Sequence, residues 1–226
     1  MPPVSFFEFP GGHAIIGNGW KEVSSVDFTK VKEALEKKGY TVRCFDTAAA
    51  ATAYLDSAID GKVVGFGDSE SMIAMGLYHA LARHNEVYDP KHPREGWDFY
   101  ATARQCLTAD IFLTSVNGLA ETGEMVNIDG TGNRVAGSLF GHEKVYFVIG
   151  QNKLVPTLDE ACFRARNIAA PLNAARHGYR TPCAIRQDRC YDCRSPQRIC
   201  SAQTIYWKKM NHMEMEVLLI GEDLGF

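Results

Sequence analysis

No apolar run in the chain approaches the ~20 residues that a membrane span requires. The opening stretch, MPPVSFFEFPGGHAIIGNGW, lacks a basic start and an unbroken apolar core: Glu8 interrupts it, and Pro10, Gly11 and Gly12 break it. It does not read as a secretory signal. An excess of basic charge is absent too; the net charge of −3 offers nucleic acid no electrostatic footprint. There is no internal repeat and no low-complexity linker. Seven cysteines, an odd number, exclude a fully paired disulfide framework. Together these absences point to a cytoplasmic protein with neither a membrane nor a nucleic-acid partner.

The 226 residues, 46% hydrophobic and 23% charged, suffice for one domain with a substantial core. After an atypical leader over residues 1–25, helical and strand patterns alternate from residue 26 to residue 226. Ser25 and Asp27 offer N-caps to a helix in which Val31, Ala34 and Leu35 share a face and which Gly39 can close. Strands are expected over residues 41–45, 63–66, 85–88, 111–115 and 144–149, and finally over 203–208 and 213–220. Helices are expected over residues 47–59, 71–83, 98–107, 134–139 and 158–175, the last bent or ended early by Pro171. Helix-spaced apolar strands predict an α/β fold: a mostly parallel sheet with helices on both faces, plus a small cysteine-rich insertion. Cys44, Cys106 and Cys162 fall in apolar patterns and read as buried hydrophobes.

In such a sheet, ligands bind beyond the carboxyl ends of the strands. Two stretches fit. In residues 65–71, GFGDSES, glycines permit close backbone approach to an anion and the serines supply hydroxyl donors; a plain turn and cap has the same composition. In residues 121–134, ETGEMVNIDGTGNR, three carboxylates, two amides and an arginine follow an apolar strand. A solvated hairpin reads the same way, but a carboxylate near apolar walls can acquire the raised pKa of a general base. A third strand end carries Asn152 and Lys153, where a cation could be supplied.

The runs ETGEMVNIDGTGNRVAGSLFG, KVYFVIGQNKLV, NIAAPLNA, CYDCRSPQRIC and VLLIGEDLGF resemble the LUD (lactate utilisation) domain family, in the subgroup with a C-terminal four-cysteine motif. The resemblance runs from about Val31 to Phe226. It implies the fold shared by ribose-phosphate isomerases, glucosamine-phosphate deaminases and CoA transferases. It also implies a link to growth on lactate through an iron–sulfur oxidation system. The family pattern carries over to Gly67, Ser69 and Ser71 in the first loop. In the second it carries over to Glu121, Asn127, Asp129, Gly130, Asn133 and Arg134, and beyond them to Asn152 and Lys153. His13, in the leader, falls outside it and reads as a surface or packing residue.

Cys183, Cys190, Cys193 and Cys200 are spaced C-x6-C-x2-C-x6-C within residues 181–201. A C-x2-C pair can grip a metal, and the flanking cysteines can complete four ligands. The interleaved Arg186, Arg189, Arg194 and Arg198 would offset thiolate charge and lower the thiol pKa values. Four cysteines alone leave an iron–sulfur cluster, zinc, and disulfides or free thiols open. The resemblance favours a [4Fe–4S] cluster, with zinc as the alternative.

The leading functional expectation is therefore a protein of lactate or related organic-acid metabolism that binds a small anionic, hydroxylated metabolite. Glu121 or Asp129 would be its acid/base group, Arg134 and Lys153 would hold the anion, and a redox partner protein would take up electrons if any move. One alternative is an isomerase- or transferase-like enzyme acting on a sugar phosphate or acyl-CoA, with a structural metal. Another is a non-catalytic ligand-sensing or assembly subunit. A homodimer is expected from the size and kind of fold.

Overall fold

The computed structural model describes residues 26–226, so the leader over residues 1–25, with His13, lies outside the described residues. The chain then runs α1 (Thr29–Lys37), β1 (Thr41–Phe45), α2 (Ala48–Ala58) and β2 (Val63–Phe66). Asp27 Oδ1 accepts the Thr29 N–H at 2.9 Å, and the Thr47 side chain caps α2 through the Ala50 N–H. The single helix expected over residues 71–83 is instead two, α3 (Glu70–Ala74) and α4 (Leu77–Leu81). They part at Gly76, whose φ of +63° is a left-handed conformation that ends a helix and that glycine adopts without cost. Next come β3 (Glu86–Tyr88), α5 (Phe99–Cys106), β4 (Ile111–Thr114), β5 (Gly118–Ala120), β6 (Met125–Asp129), α6 (Asn133–Leu139), β7 (Lys144–Gly150) and β8 (Leu154–Val155). The chain closes with α7 (Leu158–Arg164), α8 (Ala170–Arg176), α9 (Pro182–Arg186), β9 (Ala202–Tyr206) and β10 (Glu214–Ile220).

The principal sheet is six-stranded and wholly parallel, in the order β1-β10-β7-β4-β2-β3. Period-2 alternation sends Val145, Phe147 and Ile149 of β7 to one core and Tyr146 and Val148 to the other. The second core is closed by Ala51 and Leu55 of α2 with Leu77 and Leu81 of α4. The first is closed by Val31 and Leu35 of α1 and Cys106 of α5. This is the α/β architecture expected, a parallel sheet with helices on both faces.

A second, four-stranded sheet in the order β8-β5-β6-β9 was not legible. Its strand β6 lies in the stretch read as a polar loop, yet all five of its residues are buried. Met125 joins the first core, while Val126 and Ile128 pack on Ala161 and Ala165. Asn127 and Asp129 mask this alternation because their polar groups are satisfied inside the protein.

The helix expected over residues 158–175 is α7 and α8 joined by a π-helical turn, Ala165–Ala169, just ahead of Pro171. The wider turn accommodates a ring and a missing N–H that would break a regular helix interior. Thr157 and Glu160 form a reciprocal capping box at its start. Among the other cysteines, Cys106 is buried as expected and Cys162 is half-buried. Cys44 is exposed, against expectation; it lies on the edge strand β1, which pairs with β10 alone.

Candidate functional site

Beyond the carboxyl ends of β2, β4 and β7, a cleft of about 570 Å³ opens. Its lining includes the predicted Gly67, Ser69, Ser71, Asp129, Gly130, Asn133, Arg134 and Lys153. The opposite wall comes from α8 through Ala170, Asn173 and Arg176, and from residues 196–199 of the cysteine segment. Gly130 is where that segment meets the cleft: a Cβ there would stand 2.5 Å from the Ile199 carbonyl oxygen, so no larger residue fits.

Lys153 follows β7 and reaches the floor, where only 3% of it is exposed. Its Nζ lies 2.8 Å from Ser115 Oγ and 2.9 Å from Ser71 Oγ. Burial holds its pKa well below the ordinary lysine value, and the nearby Arg164 and Arg134 lower it further. Arg164, on α7, is itself buried and pushed down to about 10 by that burial, with Asp223 opposing. It donates to the Asn152 and Asn117 carbonyls, at 2.9 and 2.5 Å, and so ties the segment after β7 to the segment after β4.

The expected residues divide by what they touch. Arg134 donates to the Ile128 carbonyl and, at 3.3 Å, to Asn117 Oδ1, and it lines the cleft. Asp129 also lines the cleft, but its two carboxylate oxygens accept the Gly132 and Val135 N–H groups at 2.8 and 3.0 Å, which fixes the start of α6. Asn127 is fully buried beneath the floor: it accepts the Asn117 N–H and donates to the Ser115 carbonyl. Asn152 clamps the C-terminal segment, accepting from the Leu224 N–H and donating to the Gly225 carbonyl. Glu121 is not part of the cleft lining. It turns outward and pairs with Lys30 at 2.5 Å.

The mouth is braced by ion pairs. Lys91 reaches Asp68 at 3.1 Å and Glu70 at 3.4 Å, and Arg176 reaches Glu70 at 2.6 Å. Asp68 holds a left-handed φ of +51°, an unusual conformation for a non-glycine residue in the loop singled out from sequence. Sequence reasoning missed Ser115, Asn117, Arg164 and Arg176. Ser115 carries the same signal that selected the 65–71 loop, a hydroxyl directly after a buried apolar strand. Arg164 and Arg176 look like ordinary helix charges until the helix is docked.

The four cysteines of the C-terminal segment lie outside the cleft lining, and none of the chain's cysteines is in a disulfide. Thr181 Oγ1 is 3.2 Å from Cys183 Sγ, and the Asp192 N–H donates to Cys190 Sγ at 3.4 Å. Arg198 donates to the Cys193 and Cys200 carbonyls at 2.9 and 3.1 Å. The thiols are near enough that the other three, added to burial, push the Cys200 pKa up to about 11. Arg198 opposes this but does not prevail, so the general lowering expected from the arginines does not hold at Cys200. The donor types suit a tetrathiolate centre. Among the described residues, however, no three Cys, His, Asp or Glu side chains are grouped as metal ligands.

A parallel sheet flanked by helices, with a polar cleft beyond its carboxyl edge, places the chain among the open α/β proteins. The LUD domain family model matches residues 28–220, and the chain belongs to that family. Among solved structures, a DUF162 family protein from Deinococcus radiodurans is similar, with 14% identity and a TM-score of 0.49, covering 84% of this chain and 94% of the other. No curated protein matches the chain. No helix among the described residues is long and apolar enough to cross a membrane.

Proposed function

We propose that this LUD-family protein acts in lactate or related organic-acid metabolism by binding a small anionic, hydroxylated metabolite in the cleft. One observation carries the reading. Arg134 lines the cleft with its hydrogen bonds directed to a carbonyl and an amide oxygen, and no carboxylate pairs with it among the described residues. A ligand carboxylate or phosphate would supply that counter-charge. Ser69, Asn133 and Asn173 stand around the same space and suit hydroxyl groups. The family's association with lactate utilisation supports the substrate class. The isomerase-like alternative needs an acid/base carboxylate, and the engagement of Asp129 by two backbone N–H groups does not favour it.

The test is a thermal-shift and calorimetric screen of hydroxy acids, sugar phosphates and CoA esters. Hydroxy acids are expected to stabilise the wild-type protein. Arg134→Ala should weaken the best of them at least about tenfold, since a charge-assisted hydrogen bond contributes roughly 1.5–3 kcal/mol. Equal binding by the variant would remove Arg134 from the site.

For the cysteines, we propose a metal or iron–sulfur centre, [4Fe–4S] in preference to zinc, held by Cys183, Cys190, Cys193 and Cys200. Support comes from the thiolate-type donor set and from the mutual influence of its thiols. Assembly requires the four sulfurs to draw closer together. Anaerobic purification with iron, sulfide and zinc analysis decides it: a colourless, zinc-loaded protein would exclude the cluster, and a metal-free one would exclude both.

A further inference from the structure

The floor of the cleft holds an arrangement that anion binding alone does not explain. Lys153 Nζ lies between two hydroxyls, 2.8 Å from Ser115 Oγ and 2.9 Å from Ser71 Oγ, and both serines are almost fully buried. The charged groups acting on this amine are Arg164 and Arg134, and both disfavour its protonation. A neutral amine offers two N–H donors and one lone pair. Ser71 donates its hydroxyl hydrogen to the Leu224 carbonyl at 3.1 Å, which leaves its oxygen to accept from Lys153. Ser115 directly follows the central strand β4, and its nearest side-chain partner is Lys153; Ser71 Oγ is farther, at 3.4 Å. The backbone of Ser115 is held in turn, its carbonyl accepting from Asn127 Nδ2 and Thr114 Oγ1, each at 3.3 Å. Nucleophile, base and a group that orients the base thus stand in hydrogen-bond sequence, and all three side chains line the cleft.

We propose that Ser115 and Lys153 are a nucleophile–base pair that transfers acyl groups from small anionic esters or thioesters, with Ser71 positioning the lysine. The proposal deepens the binding reading and rests on it, because the substrate's anionic end would be held at Arg134. In the first half-reaction the Ser115 hydroxyl proton passes to Lys153 Nζ while Oγ bonds to the acyl carbon, and the carbonyl π pair moves to oxygen. Collapse breaks the bond from carbon to the leaving oxygen or sulfur, which takes the proton from Lys153. Water then attacks the Ser115 ester and gives its proton to Lys153. The carbon–Oγ bond breaks, Ser115 recovers a proton from Lys153, and a carboxylic acid leaves. No electron is gained or lost, and water is the sole co-reactant.

The experiment uses p-nitrophenyl acetate as the acyl probe on the full chain, with peptide mass spectrometry to locate the acetyl group and thermal shift with a hydroxy acid run in parallel. Acetylation at Ser115 is expected, absent in Ser115→Ala and at least about 100-fold slower in Lys153→Met. Ser115→Cys, which keeps a nucleophile in place, should still accept the group. Ser71→Ala should move the pH midpoint of labelling and Ser71→Thr should restore it; an unmoved midpoint would remove Ser71 from the pair. Where a variant fails to fold, the labelling site in the wild-type chain decides alone. Acetyl groups found only on surface lysines overturn the proposal. If hydroxy acids still stabilise that protein, the binding reading survives it. Labelling at Ser115 without stabilisation by any anion would leave the acyl chemistry standing and remove the binding reading.

Discussion

The floor of the cleft and the cysteine segment touch at Gly130 and differ in how each holds its polar groups. On the floor, Lys153 and Arg164 are buried and their hydrogen bonds end on other protein groups, so each is fixed by several elements at once. In the cysteine segment, Arg186, Arg189, Arg194 and Arg198 are exposed, and the bonds that shape it run largely within the segment. Polar groups in a low-dielectric interior are costly to leave unpaired, whereas exposed pairs exchange readily with water. The floor therefore has its geometry built in by folding. On the proposed reading of the cysteines, their segment would be organised by the ion it binds.

The sharpest way to break this contrast is Arg164→Ala. The substitution leaves the Asn117 and Asn152 carbonyls without their charged donor and opens a gap beneath the floor. A loss of about 3 kcal/mol is expected from urea unfolding, since hydrogen bonds to charged groups and orphaned buried acceptors each contribute in that range. Arg198→Ala, which removes two carbonyl contacts from an exposed side chain, should lose less than about 1 kcal/mol. Equal losses would mean that the two regions are built alike.

A second test uses pH. The folded protein holds the Lys153 pKa well below its ordinary value of 10.5, so between the lowered value and 10.5 the unfolded chain binds a proton that the folded chain does not. Stability contributed by this residue thus rises with pH through that window, with a slope of at most about 1.4 kcal/mol per pH unit, and levels off above 10.5. Subtracting the unfolding profile of Lys153→Met from that of the wild type isolates the effect. A difference that fell with rising pH would show that Lys153 is charged in the fold.

The principal sheet was largely legible because β4, β7 and β10 are apolar runs of strand length separated by helical patterns. Most of the cleft lining was legible as well, since glycines and hydroxyls after such runs mark the carboxyl edge of a parallel sheet. Asn127 and Asp129 misled the reading for a physical reason. Both lie in a fully buried strand; Asn127 is satisfied by Asn117 and Ser115, from the segment after β4, and Asp129 by backbone N–H groups at the start of α6, so local polarity imitated a loop. Glu121 looked catalytic by proximity to that strand, yet the Gly123 turn directs it to Lys30 at the surface. Arg164 could not be found from sequence because its partners lie 12 and 47 residues away.

The smallest expected effect belongs to the cysteine pair. Cys190 and Cys193 are half-exposed and lie outside the three buried clusters that form the core, so in metal-free protein Cys190→Ser with Cys193→Ser should change unfolding free energy by no more than about 0.5 kcal/mol. Cys200, packed against the Ala161 and Ala165 cluster, should respond more strongly even without metal. If the chain is purified with its centre loaded, the same double variant should instead lose the metal and protease resistance over residues 181–201, while hydroxy acids continue to stabilise the cleft. A parallel loss of ligand binding would show that the contact of Gly130 with Ile199 couples the two regions, and that the floor is not complete until the cysteines are held.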